Sequence, residues 1–219
     1  LERHWHREGW INLMRETMKT RRLWSVLVLA GLFGAHLTMA QPQEIPLGTA
    51  MPMLDRAMTD AAGATVRLQD LKGPQATVVV FWSNRSPWVE KAEERLLTLA
   101  RAYRNRGVSF VLVNPNDPVA DPQEGREESQ RRAQRYGVRY LMDAGSDLAE
   151  AFGASRTPQV FVFNADNALV YSGTLDDSPG DPASVQKHYL RDALDALLSG
   201  TSIAVPRTKA FGSMIKFQQ

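Results

Sequence analysis

The order of strand-like and helical segments predicts an α/β protein with one mixed central sheet and helices on both faces. Three observations carry that expectation. Ala76-Thr77-Val78-Val79-Val80-Phe81-Trp82 is an unbroken apolar, β-branched run of the kind buried on both faces of a sheet. A helical segment and a second such run, Val108 to Val113, follow it, an order that argues for parallel pairing. Later, Gln159 to Phe163 and Ala168 to Tyr171 flank the turn sequence Asn164-Ala165-Asp166-Asn167, as in an antiparallel hairpin.

The remaining elements follow in chain order. Gln41 to Pro52 reads as an extended lead-in. Met53 to Met58 and Ala64 to Leu68 are short strands around an Asp60-Ala61-Ala62-Gly63 turn, and Gly73-Pro74 stops the chain before the first central strand. Pro87 to Arg106 is helical, with Val89, Leu96, Leu97, Ala100 and Tyr103 on one side and Pro87 in the first turn, where no amide donor is missed. Gly107 ends it. Asp117 to Gly125 is a polar loop, Glu127 to Tyr136 a charged helix, Val138 to Met142 a strand, and Ser146 to Phe152 a small helix. Ser184 to Leu198 is the last helix, with Val185, Tyr189, Leu190, Ala193, Leu194 and Leu197 at helical spacing. The tail from Gly200 to Gln219 carries no clear element.

The chain has 219 residues and a net charge of +2. Its N-terminal part shifts that balance. Residues 18–40 show a basic start (Lys19, Arg21, Arg22), an apolar run from Leu23 to Phe33, and small residues at Thr38 and Ala40 before Gln41. That is the three-part pattern of a secretory signal peptide. The apolar run is short for a membrane span, which needs roughly 20 residues. An uncleaved leader acting as an anchor is the alternative. Residues 1–17 are read as an upstream extension outside the mature protein, residues 41–200 as the globular domain, and residues 201–219 as a C-terminal tail. Without residues 1–40 the chain has 20 basic and 21 acidic residues, so nothing favours nucleic acid. There is no cysteine, so about 180 residues must build their core without disulfides.

Three segments point to one family. Phe81-Trp82-Ser83-Asn84-Arg85-Ser86-Pro87-Trp88-Val89 joins a central strand to a helix. Ala154-Ser155-Arg156-Thr157-Pro158-Gln159 precedes a later strand. Tyr171-Ser172-Gly173-Thr174-Leu175-Asp176-Asp177, Tyr189 to Leu194 and the tail Thr208 to Lys216 complete the set. Together they resemble the thioredoxin-like redoxins of the alkyl hydroperoxide reductase and thiol-specific antioxidant superfamily, in the subgroup that writes its active site as Cys-Asn-His-Cys-Pro. The resemblance covers about residues 47–217 and implies a thioredoxin-like fold. It also implies that Ser83 and Ser86 stand at the family's two active-site cysteines, with Arg85 in place of histidine. Pro158 stands at its cis-proline, and Ser213 at a further cysteine in the tail.

The substitution governs the expected chemistry. In the family a thiol at a helix N-terminus is held as thiolate, below its ordinary pKa of about 8.5. It then attacks a disulfide or peroxide. The dipole's roughly 0.3–2 kcal/mol cannot make an alkoxide of serine near neutral pH. A hydrolytic role for Ser83 would need an adjacent base, usually histidine, yet His188 is the only histidine after the leader and is assigned to surface or packing. The simplest reading of Ser83 is an N-cap or helix-proximal hydroxyl.

Two functional readings stand. One is an exported, redox-inactive protein that binds an extended partner segment across the Ser83 to Pro158 surface, with Arg85, Trp88, Arg156 and Thr157 lining the groove. The other is a thiol-disulfide oxidoreductase or peroxidase family member with antioxidant ancestry whose cysteines are substituted in this sequence. No cofactor or metal is implied, and membrane contact only through an uncleaved leader. Asp176, Asp177 and Asp181 read as a solvated turn. Glu124, Glu127 and Glu128 balance the arginines from Arg126 to Arg139 on a solvated face.

Overall fold

A computed structural model describes residues 43–218; the leader and the residues before it lie outside that range. The central sheet is built around β3 (Ala76–Phe81), all six residues of which are buried. It runs parallel to β4 (Val108–Asn114) and antiparallel to β7 (Gln159–Asn164), so the strand predicted from the long apolar run lies in the sheet's interior. β4 pairs parallel with β5 (Arg139–Met142). β5 pairs antiparallel with β1 (Ala57–Asp60), which in turn pairs with β2 (Thr65–Arg67). β8 (Leu169–Gly173) closes the other edge beside β7, giving the order β2-β1-β5-β4-β3-β7-β8.

Helix α1 (Pro87–Arg104) has Ser86 as N-cap and Pro87 in its first turn, as the sequence requires. α2 (Arg126–Tyr136) ends at Gly137, whose φ of 65° is the left-handed conformation in which glycine carries no Cβ penalty. α3 is Asp147–Phe152 and α4 is Tyr189–Leu198. One sheet face packs Val78, Val80, Trp82, Leu112 and Val162 with residues of α1, α2 and α4. The other packs Val79, Phe81, Val111, Phe161 and Phe163 with Leu148 and Phe152 of α3. Alternation along β3 therefore feeds two cores, which is why both faces read as apolar.

Several boundaries differ from expectation. The first strand begins at Ala57, because Pro52 to Asp55 form turns and Met53 takes a φ of 53°. Leu68 does not extend β2; it opens a 3-10 turn to Leu71 and is fully buried. The last helix starts at Tyr189 and not at Ser184. The Asp177 carboxylate accepts from the amides of Gln186 and Lys187 at 3.0 Å each, which holds those residues out of the helix. The tail is structured. Its β9 (Ser213–Met214) pairs antiparallel with β6 (Arg156–Thr157), and Ile215 is buried in the second core.

Candidate functional site

The site lies at the carboxyl ends of β3 and β4. Their parallel register sets Phe81 beside Val113, so the two chains leave the sheet as neighbours, one towards Ser83 and the other towards Asn114 and Asn116. Ser83, Asn84 and Ser86 are all buried. Ser83 Oγ accepts from the amides of Arg85 at 3.0 Å and Ser86 at 2.9 Å, and donates to Glu124 Oε1 at 2.5 Å. A hydroxyl has one proton and two acceptor lone pairs, so all of its capacity is used.

Glu124 corrects the sequence reading. It is not on a solvated face: it is 3% exposed beneath the Ser83 turn. Its carboxylate also accepts from the Asn84 amide at 2.8 Å and from Asn114 Nδ2 at 3.0 Å. Asn84 Oδ1 accepts from the Tyr140 hydroxyl at 2.8 Å, and Asn84 Nδ2 donates to Ser129 Oγ at 2.8 Å. Burial and the neighbouring Tyr136 and Glu124 keep the Tyr140 phenol well above its ordinary pKa, and it stays a donor. The base that the sequence lacked as histidine is thus present as a carboxylate. With both lone pairs of Ser83 turned to amides, the pair does not make a nucleophile.

Ser86, not Ser83, is the N-cap, accepting from the Val89 amide at 3.4 Å. Ser86 Oγ donates to the Thr157 carbonyl at 3.1 Å, which leaves Ser213 Oγ, at 2.8 Å, as the donor to Ser86. The Thr157–Pro158 bond is cis. Ser83, Ser86, Thr157, Pro158 and Ser213 are therefore brought together. Arg85 points outward and pairs with Asp121 at 3.6 Å. Trp88 is half-buried against Phe211, with ring centroids 4.6 Å apart and planes at 80°. Arg156 is half-buried, its strand position facing Met214.

One further prediction changes. Asp176 is 4% exposed and paired with Arg95 at 2.7 Å, so it is no part of a solvated turn. The surface assigned to a partner segment carries the chain's own Phe211 to Met214. Sequence reasoning missed Glu124, Asn114, Asn116 and Phe211. The adjacent ends of β3 and β4, set by their parallel register, place the asparagines beside the Ser83 turn.

Fold and site together define a thioredoxin-like scaffold with hydroxyls at its thiol positions. The chain belongs to the AhpC/TSA family, whose model matches residues 47–172. It is 25% identical over 115 residues to the thiol-disulfide oxidoreductase ResA of Halalkalibacterium halodurans, a match spanning 52% of this chain and 61% of that protein. A hypothetical protein of Sinorhizobium meliloti 1021 superposes with a TM-score of 0.74 at 35% identity, covering 80% of this chain and 97% of its own. An uncharacterized conserved protein of Geobacillus kaustophilus does so at 0.73 and 37%, covering 79% and 93%. A putative thiol:disulfide interchange protein DsbE from Chlorobium tepidum, at 16% identity and a TM-score of 0.56 over 71% of this chain and 99% of its own, shares the fold. No helix among the described residues is long and apolar enough to cross a membrane.

Proposed function

We propose that this chain is an exported, redox-silent member of its family that binds an extended protein segment along the surface between the Ser83 turn, Trp88 and the cis-Pro158 loop. The observation that carries the reading is that Arg156 and Thr157 pair with an extended segment, the chain's own Ser213 and Met214, so this short edge is shaped for strand pairing beside Ser83 and Ser86. The edge-on contact of the chain's own Phe211 with Trp88 supports a place for an aromatic side chain on the adjoining surface. The signal-peptide pattern of residues 18–40 supports export.

Silence follows from the hydroxyls. Disulfide exchange and peroxide reduction both begin with a thiolate, and none of Ser83, Ser86 or Ser213 can supply one. The protein is expected to show no disulfide-reductase or peroxidase turnover above blank. Affinity capture from the exported fraction is expected to retain a defined partner with the wild type and lose it with Trp88→Ala. Turnover above blank rejects the silent reading; capture indifferent to Trp88→Ala rejects this surface.

A further inference from the structure

The segment on this surface is anchored along its length. Thr208 is held by the Ser172 carbonyl at 2.9 Å, and its Oγ1 accepts from the Thr174 amide at 2.9 Å. Ser213 and Met214 then pair with Thr157 and Arg156. Beyond them, the Ile215 amide donates to the Ser155 carbonyl at 3.1 Å, and the Lys216 amide to Asn116 Oδ1 at 3.0 Å. The side-chain requirements of this path can be read residue by residue. Phe211 stacks edge-on against Trp88. Gly212 adopts φ +148°, and a Cβ there would lie 2.4 Å from the Thr157 carbonyl oxygen, so only glycine passes. Ser213 fits between Ser86 and the loop, Met214 is 62% exposed, and Ile215 is buried.

The fit is incomplete at one point. Thr157 is 1% exposed, and its Oγ1 has no hydrogen-bond partner with the tail in place. A buried polar atom left unpaired is uncommon.

From these observations we infer that the tail is a built-in occupant of the binding surface. The partner is an extended segment of the same pattern: aromatic, glycine, small hydroxyl residue, any residue, aliphatic. This rests on the proposed binding role and specifies it. The tail and the partner compete for one edge, so the apparent affinity for a partner is scaled by the fraction of molecules whose tail is displaced.

The probe is a fluorescein-labelled synthetic peptide of residues 207–217, titrated with the protein by anisotropy. Gly212→Val, whose tail cannot keep its path, is expected to bind the peptide roughly tenfold or more tightly than wild type. Phe211→Ala is expected to act in the same direction by loosening the contact with Trp88. Ser86→Cys/Ser213→Cys joins two positions whose side chains already touch. Its oxidised form is expected not to bind the peptide, and to regain binding on reduction. Adding Trp88→Ala to Gly212→Val is expected to weaken binding again. Equal peptide affinity in the wild-type, Gly212→Val and oxidised proteins overturns the inference. So does failure of Gly212→Val to bind when hydrogen exchange shows its Ile215 and Lys216 amides unprotected. Either result, together with partner capture that still depends on Trp88, leaves the proposed binding surface standing and removes the tail as its competitor.

Discussion

Ser83 donates a hydrogen bond to Glu124 and accepts two from backbone amides, and this decides what a restored thiol would do. The helix N-terminus and the two amides favour an anion at that position; the buried carboxylate opposes it. In a Ser83→Cys background, Glu124→Gln is therefore expected to lower the thiol pKa by roughly one unit, read from thiolate absorbance against pH. A thiol pKa unchanged by Glu124→Gln would show that the carboxylate has no electrostatic hold on the site. The serines at 83, 86 and 213 were legible as residues, and their convergence followed from the family resemblance. Glu124 was not legible: a glutamate followed by Gly125 and Arg126 looks like surface, and only packing of the 117–125 loop under the turn buries it.

Among the elements, α3 and the capping of α1 carry measurable consequences. Asp143 is 3% exposed, and its carboxylate accepts from the amides of Leu148 at 3.0 Å and Ala149 at 2.9 Å, at the start of α3. Burial pushes its pKa up from 3.8 to about 6, although the two amide bonds pull the other way. A folded-state pKa above the unfolded one means that the folded protein holds the proton longer. This contribution to stability is full below about pH 4, is lost as pH rises through about 6, and amounts to roughly 3 kcal/mol at most. Urea denaturation from about pH 4 to 7 is expected to show that fall in wild type and not in Asp143→Asn. Ser86→Ala removes the N-cap of α1 and is expected to cost about 1 kcal/mol in the same assay. The start of α4 escaped sequence reasoning for a related cause. The apolar spacing from Val185 onwards is helical, but the Asp177 carboxylate takes up the Gln186 and Lys187 amides from outside the segment.

In the whole molecule, one sheet separates two cores, and no disulfide supports either. Phe152 sits at the centre of the second, meeting Phe81, Phe161 and Phe163 edge-on at 5.3, 5.2 and 5.6 Å between centroids. Phe152→Ala is expected to destabilise the protein by about 3–5 kcal/mol, checked by equilibrium denaturation. The tail crosses from β8 to the cis-proline loop and on to Asn116, so it ties the sheet's edge to the site.

By itself the amino-acid order determined the central strands, the helix after Pro87, the hairpin, the family and the loss of thiols. Each of these is written in local periodicity, turn chemistry or the identity of single residues. The tertiary structure alone decided that Glu124 lies buried under Ser83, that Asp176 is paired inside, and that Ser213 and Met214 pair with the Arg156–Thr157 edge. Those are contacts between segments 41, 81 and about 57 residues apart, brought together by sheet register and loop packing, and no local pattern in the chain encodes them.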